Sequence, residues 1–202
     1  MNLPSKLLLG TGSILGLAAL YKAIRPWKRD PIRFPVLFLG DSISVGVGQV
    51  FASRGLAFRS LAVIGQAPSQ LRASVQEALA GAQEKEVVVS SGVNSVRGKP
   101  VSEIVEDVSE VLSAIRASGK RAILLAPPPA LGSFEREEHQ QTLTGLTISL
   151  ELGFRDVVSL WDLLSDPNQP GYYKAGLGAP DQLHPTRRGY EVIAEALLKG
   201  ER

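Results

Sequence analysis

Five short apolar runs alternate with stretches of helical periodicity, and this alternation limits how the 202-residue chain can fold more than any other feature. The runs are Val36 to Leu39, Leu56 to Ile64, Glu86 to Ser90, Arg121 to Ala126 and Val157 to Trp161. Helical stripes lie between them. One runs from Ser42 or Ser44 to Gly55, and a second opens at Pro68-Ser69 with Leu71, Val75 and Leu79 in phase. A third opens at Pro100 with Ile104, Val108, Val111, Leu112 and Ile115. A fourth spans Phe134 to Leu152, and the last runs from Pro185-Thr186 to Lys199. Residues 162–183, rich in Gly, Pro, Asp and Asn, read as a long loop. Strand and helix in strict alternation predict an α/β fold: a five-stranded parallel sheet with helices on both faces.

In such sheets, ligands gather at the carboxyl ends of the strands. Three polar blocks fall there: Gly40-Asp41-Ser42, Gly65-Gln66-Ala67-Pro68 and Ser91-Gly92-Val93-Asn94-Ser95. A fourth, Asp181-Gln182-Leu183-His184-Pro185, precedes the last helix. A serine hydroxyl is a weak nucleophile that needs a base beside it. His184, one of only two histidines, is the leading candidate, and Asp181 can fold back to orient its ring. The oxyanion of an acyl transfer needs preorganised donors. The backbone N–H groups of Ser42 and Gly65 and the Asn94 amide can supply three, with glycine at 65 allowing close approach. Each block also has a plain structural reading. Asp41 reads as a helix-start or packing residue, and Asp-x-x-His as a helix cap. Pro127 to Pro129 read as a strand terminator and His139 as part of a solvated face. Tyr172 and Tyr173 read as loop packing or as a platform for a sugar.

Composition narrows the classes. The absence of cysteine excludes disulfides, thiolate metal sites and a cysteine nucleophile, and two histidines make a histidine-rich metal site a poor fit. Six of the 22 basic residues and one of the 20 acidic ones lie in residues 1–33, so the remainder is net acidic and no nucleic-acid footprint is expected. The basic charge flanks an uncharged run, Leu7 to Tyr21. That run reads as an N-terminal hydrophobic anchor or signal segment (1–24), followed by a basic, proline-containing tether (25–34) and a catalytic domain (35–202). Denser positive charge after the run favours a cytoplasmic domain, whereas Lys6 and the terminal amine favour export, so the side of the membrane stays open.

The four blocks, in this order and on these elements, resemble the SGNH, or GDSL, hydrolases. The resemblance covers residues 35 to about 200. It implies a flavodoxin-like three-layer α/β/α sandwich, with Ser42 as nucleophile, His184 as base, Asp181 as its orienter, and Ser42, Gly65 and Asn94 as the oxyanion hole. It implies no cofactor and no metal. With the apolar leader, it implies a small ester substrate, such as an O-acetyl group on a cell-envelope polysaccharide. Two departures stand out: Ser95 follows Asn94 where the family usually has aspartate, and the Gly65 block lacks the asparagine-glycine lead-in common in relatives. They keep a second expectation in view, a catalytically silent, membrane-tethered binding module. A third is an envelope-structural protein whose main function is its anchor.

Overall fold

A computed structural model describes residues 29–201. The apolar leader and the first part of the tether lie outside the described residues. Five parallel strands form one sheet: β1 (Val36–Gly40), β2 (Phe58–Ser60), β3 (Glu86–Ser90), β4 (Arg121–Leu125) and β5 (Val157–Val158), in the order β2-β1-β3-β4-β5. The helices are α1 (Ser42–Ser53), α2 (Pro68–Leu79), α3 (Val101–Ala117), α4 (Glu137–Gly153), α5 (Leu160–Leu164) and α6 (Arg187–Lys199).

Successive residues of a strand face opposite ways, so β1 feeds two cores. Leu37 and Leu39 join Val87, Val89 and Leu124 under α2, α3 and α4. Val36 and Phe38 join Val88, Ile123 and Leu125 under α1 and α6. This is the three-layer sandwich expected from the alternation. Its strand order reverses direction between β1 and β3, the place where open α/β sheets leave a crevice.

The second apolar run predicts a strand over Leu56 to Ile64, but β2 keeps only three residues. It is an edge strand paired to β1 alone, and Leu61, Val63 and Ile64 are exposed. Beyond Ser60 the backbone still follows β1, with Val63 N–H donating to Gly40 O at 2.8 Å. β5 stops at Val158 because the Ser159 hydroxyl accepts the Asp162 N–H at 3.1 Å and starts α5. Residues 162–183 are not all loop: β6 (Ser165–Asp166) and β7 (Gln169–Tyr173) form an antiparallel hairpin. The segment read as a tether is docked over residues 29–34. Arg29 N–H donates to Gly200 O at 2.8 Å, Ile32 is buried, and the Arg121 guanidinium donates to Asp30 O at 3.0 Å. His139 is also not on a solvated face. Its ring is 17% exposed and lies edge-on to Phe134 at 6.2 Å.

The tightest approach in the sheet is at Gly40. Its φ is +101°, and a Cβ there would meet Ser90 O at 1.8 Å. Gly40→Ala is therefore expected to lower the unfolding free energy by more than about 2 kcal/mol, read as a fall in urea midpoint, through backbone strain plus overpacking.

Candidate active site

Ser42 is the first residue of α1, immediately beyond β1, and is half-buried. Its Oγ lies 2.9 Å from His184 Nε2, across 142 residues of sequence. His184 Nδ1 lies 2.7 Å from Asp181 Oδ2. Three side chains from the first and last blocks thus form one hydrogen-bonded chain. Asp181 shapes the turn as well as meeting the ring. Its Oδ1 accepts the N–H groups of Leu183 and His184, both at 3.0 Å. Burial works against its charge, but these bonds and the bond to the His184 ring outweigh that, holding its carboxyl below the usual carboxylate range. Asp181 is not the cap of α6: that is Thr186, whose hydroxyl accepts the Gly189 N–H.

The turn is held from outside. Ala179 N–H donates to His184 O at 2.8 Å, and Thr186 N–H donates to Leu177 O at 2.8 Å. The Tyr173 hydroxyl donates to Leu183 O at 2.9 Å. Tyr173, at the end of β7, is buried and works as a strut under the His184 turn, while Tyr172 beside it is exposed. Gly132 packs against Gln182, so the loop after β4 braces the same turn from another side.

The other two blocks meet each other. Asn94 sits on a 3-10 turn (Val93–Ser95) just beyond β3 and is exposed, with its Nδ2 donating to Gln66 O at 3.2 Å. An amide nitrogen carries two hydrogens, so one donor remains. Gly65 lies between two ties, the Val63 bond to Gly40 and the Asn94 bond to Gln66. Among the described residues beyond its chain neighbours, no atom stands within 4 Å of where its Cβ would be, so these residues do not demand glycine for space. What favours glycine there is its φ of +78°.

The sequence missed a polar cluster beneath Ser42. Asp41 is fully buried and caps α1, its Oδ1 accepting the Ile43 N–H at 3.0 Å and the Ser90 hydroxyl at 2.5 Å. Ser90 N–H donates to Ser44 Oγ at 3.1 Å. The only outward sign of this cluster is a serine closing the valine run of β3. Among the described residues, no group of three or more His, Cys, Asp or Glu side chains is placed to hold a metal ion.

The profile of the family described as GDSL-like Lipase/Acylhydrolase matches residues 36–197. The chain belongs to that family. Solved structures of similar fold include lipases and an esterase. One is a GDSL-like lipase from Bacteroides thetaiotaomicron, at 18% identity and TM-score 0.65, with 89% of this chain and 93% of that one covered. Another is the lipase/acylhydrolase from Enterococcus faecalis, at 20% identity and TM-score 0.60, covering 82% and 94%. A third is the psychrotrophic esterase EstA from Pseudoalteromonas sp., inhibited by monoethylphosphonate, at 16% identity and TM-score 0.57, covering 82% and 94%. No curated protein matches the chain in sequence. In this GDSL hydrolase the five-stranded parallel sheet is that of its structural neighbours.

Burial pushes the Asp41 carboxyl up to about 6, against the pull of its bonds to Ser90 and Ile43 and of the nearby His184. The folded value exceeds the unfolded one of 3.8, so the cost is absent well below 3.8, where both states are protonated, grows as pH rises from about 3.8 to about 6, and is fully present above that. Holding this carboxylate ionised at pH 8 costs the fold about 3 kcal/mol. Asp41→Asn keeps a capping oxygen without the charge. The gain in urea midpoint of the variant over wild type is expected to be larger at pH 8 than at pH 4, by most of that cost.

Proposed function

We propose that this GDSL hydrolase is a serine esterase that cleaves a small ester through an acyl-enzyme on Ser42. The observation that carries this is the continuous Ser42–His184–Asp181 chain, with contacts of 2.9 and 2.7 Å. In this reading His184 Nε2 takes the Ser42 proton as Oγ attacks the ester carbonyl. Asp181 steadies the imidazolium that forms, and its lowered pKa keeps it ionised to do so. The Ser42 and Gly65 N–H groups and the free Asn94 amide hydrogen stabilise the oxyanion. The same imidazolium then returns the proton to the leaving alcohol, and water completes the cycle by the reverse path. A binding-only role leaves the alignment of these three side chains unexplained.

The finer reading is an O-acetyl substrate on a cell-envelope polysaccharide, with the domain tethered through the apolar run Leu7 to Tyr21. The direction of the fold supports it. Residues 29–31 lie against Gly200 and Arg121, at the amino ends of the strands, whereas Ser42 and Asn94 lie at the carboxyl ends. A bilayer held by the leader meets the domain on the side away from the site. That arrangement suits a substrate outside the anchoring membrane better than that membrane's own lipids.

Ser42→Ala is expected to abolish turnover of p-nitrophenyl acetate. Asn94→Ala should lower kcat by about 100- to 1000-fold, as for loss of one oxyanion donor. Wild-type turnover should fall steadily from acetyl to octanoyl esters; a rise toward octanoyl would overturn the small-acyl reading. A chain trimmed of residues 1–28, which keeps the docked Arg29 and Ile32, should retain its turnover in solution. Release of a membrane-bound protein by the same trimming checks the tether.

A further inference from the structure

We propose that Asp41 is a positioning residue: through the Ser90 hydroxyl it fastens the turn carrying the Ser42 N–H to the strand end that delivers Asn94, fixing the separation of two oxyanion donors. The inference rests on the acyl-transfer reading of the site.

Capping α1 does not by itself account for Asp41. Helix caps are ordinarily exposed, and asparagine, serine or threonine serve as well. Here the carboxyl is fully buried at the edge of an apolar sheet, and its Oδ2 has no hydrogen-bond partner among the described residues. Burying such a group is costly, and costs of that kind concentrate where function demands them.

The bonds run in both directions between the two strand ends. Asp41 N–H donates to Ser90 O at 3.0 Å, the Ser90 hydroxyl donates to Asp41 Oδ1 at 2.5 Å, and Ser90 N–H donates to Ser44 Oγ at 3.1 Å. The same Oδ1 takes the Ile43 N–H, so one oxygen grips both the first turn of α1 and the end of β3. From Ser90 to Asn94 is only four residues, and the three between them are buried. Gly92 turns at φ +125° against Leu146 and Ile104, and Ser95 N–H closes the 3-10 turn onto Gly92 O at 3.0 Å. A shift of Ser90 relative to Asp41 is thus carried to Asn94. The titratable groups that face Asp41 are His184, whose nearby charge favours the carboxylate, and the Tyr190 phenol on α6, whose ionisation the Asp41 charge opposes.

Steady-state kinetics on p-nitrophenyl acetate, with urea unfolding of each variant at pH 8, tests this. Ser90→Ala and Asp41→Ala should each lower kcat by about 10- to 100-fold, the range for misplaced catalytic groups. KM should stay within about twofold, because the loss falls on the transition state. The double variant should fall no further than Asp41→Ala alone, since the Ser90 hydroxyl acts through its bond to Asp41. Asp41→Asn, which keeps an acceptor oxygen, should recover most of kcat. A cooperative urea transition in each variant, with the protein fully folded under assay conditions, separates misplacement from loss of fold. Wild-type kcat in both alanine variants overturns the inference and leaves the acyl-transfer reading intact. So does an Asp41→Asn variant as slow as Asp41→Ala, which would put the effect on charge. A wild-type protein that turns over no ester sinks both.

Discussion

β1 and β3 are covered by helices on both faces, so the side chains from Val36 to Leu39 and from Val87 to Val89 are apolar and dry. Polar chemistry can begin only where that cover ends, and on both strands it begins at once. Gly40 and Ser90 are register partners, and Asp41, Ser42, Ser91 and Asn94 follow within four residues. The backbones are so close there that no Cβ fits at Gly40. Two strands brought together for packing thereby bring together a hydroxyl and an amide donor far apart in sequence.

The histidine reaches the site by a different route. Its turn belongs to no strand of the main sheet and is assembled by local hydrogen bonds: Asp181 to Leu183 and His184, Ala179 to His184, and Tyr173 to Leu183. The rigid half of the site thus comes from the sheet, and the base stands on a braced surface loop. Asp181 is exposed and stays ionised through its hydrogen bonds, whereas Asp41 is buried and resists ionisation. Both carboxyls feel the His184 imidazole, and their opposite environments set different tasks for them.

The sheet was legible in the sequence because its signals are local. Valine runs such as Val87 to Val89, closed by Gly and Asn, mark strands wherever they pack, and the four blocks sit at their ends. What escaped depends on partners distant in the chain. Nothing near Arg29 announces that its guanidinium will donate to Ala196 O, 167 residues away. Asp41 looks like a helix start until register places Ser90 against it. The β6–β7 hairpin reads as loop because Gln169-Pro170-Gly171 is loop-like in composition. It turns at Pro167-Asn168, and Gly171 lies in the irregular stretch of β7, with a φ of +93° and its N–H donating to the Ser165 hydroxyl at 3.3 Å. Glycine at 65 reads in the sequence as a provision for close approach of an oxyanion; its positive φ favours glycine as well, and a dihedral angle is not visible in a sequence.

The central claim is that Ser42 is a nucleophile activated by His184. The most direct test is to treat the protein with a fluorophosphonate and locate the adduct by peptide mass spectrometry. The account predicts a single phosphonylated residue, Ser42, with labelling lost in His184→Ala. No adduct, or an adduct on another residue with Ser42 unmodified, would contradict it.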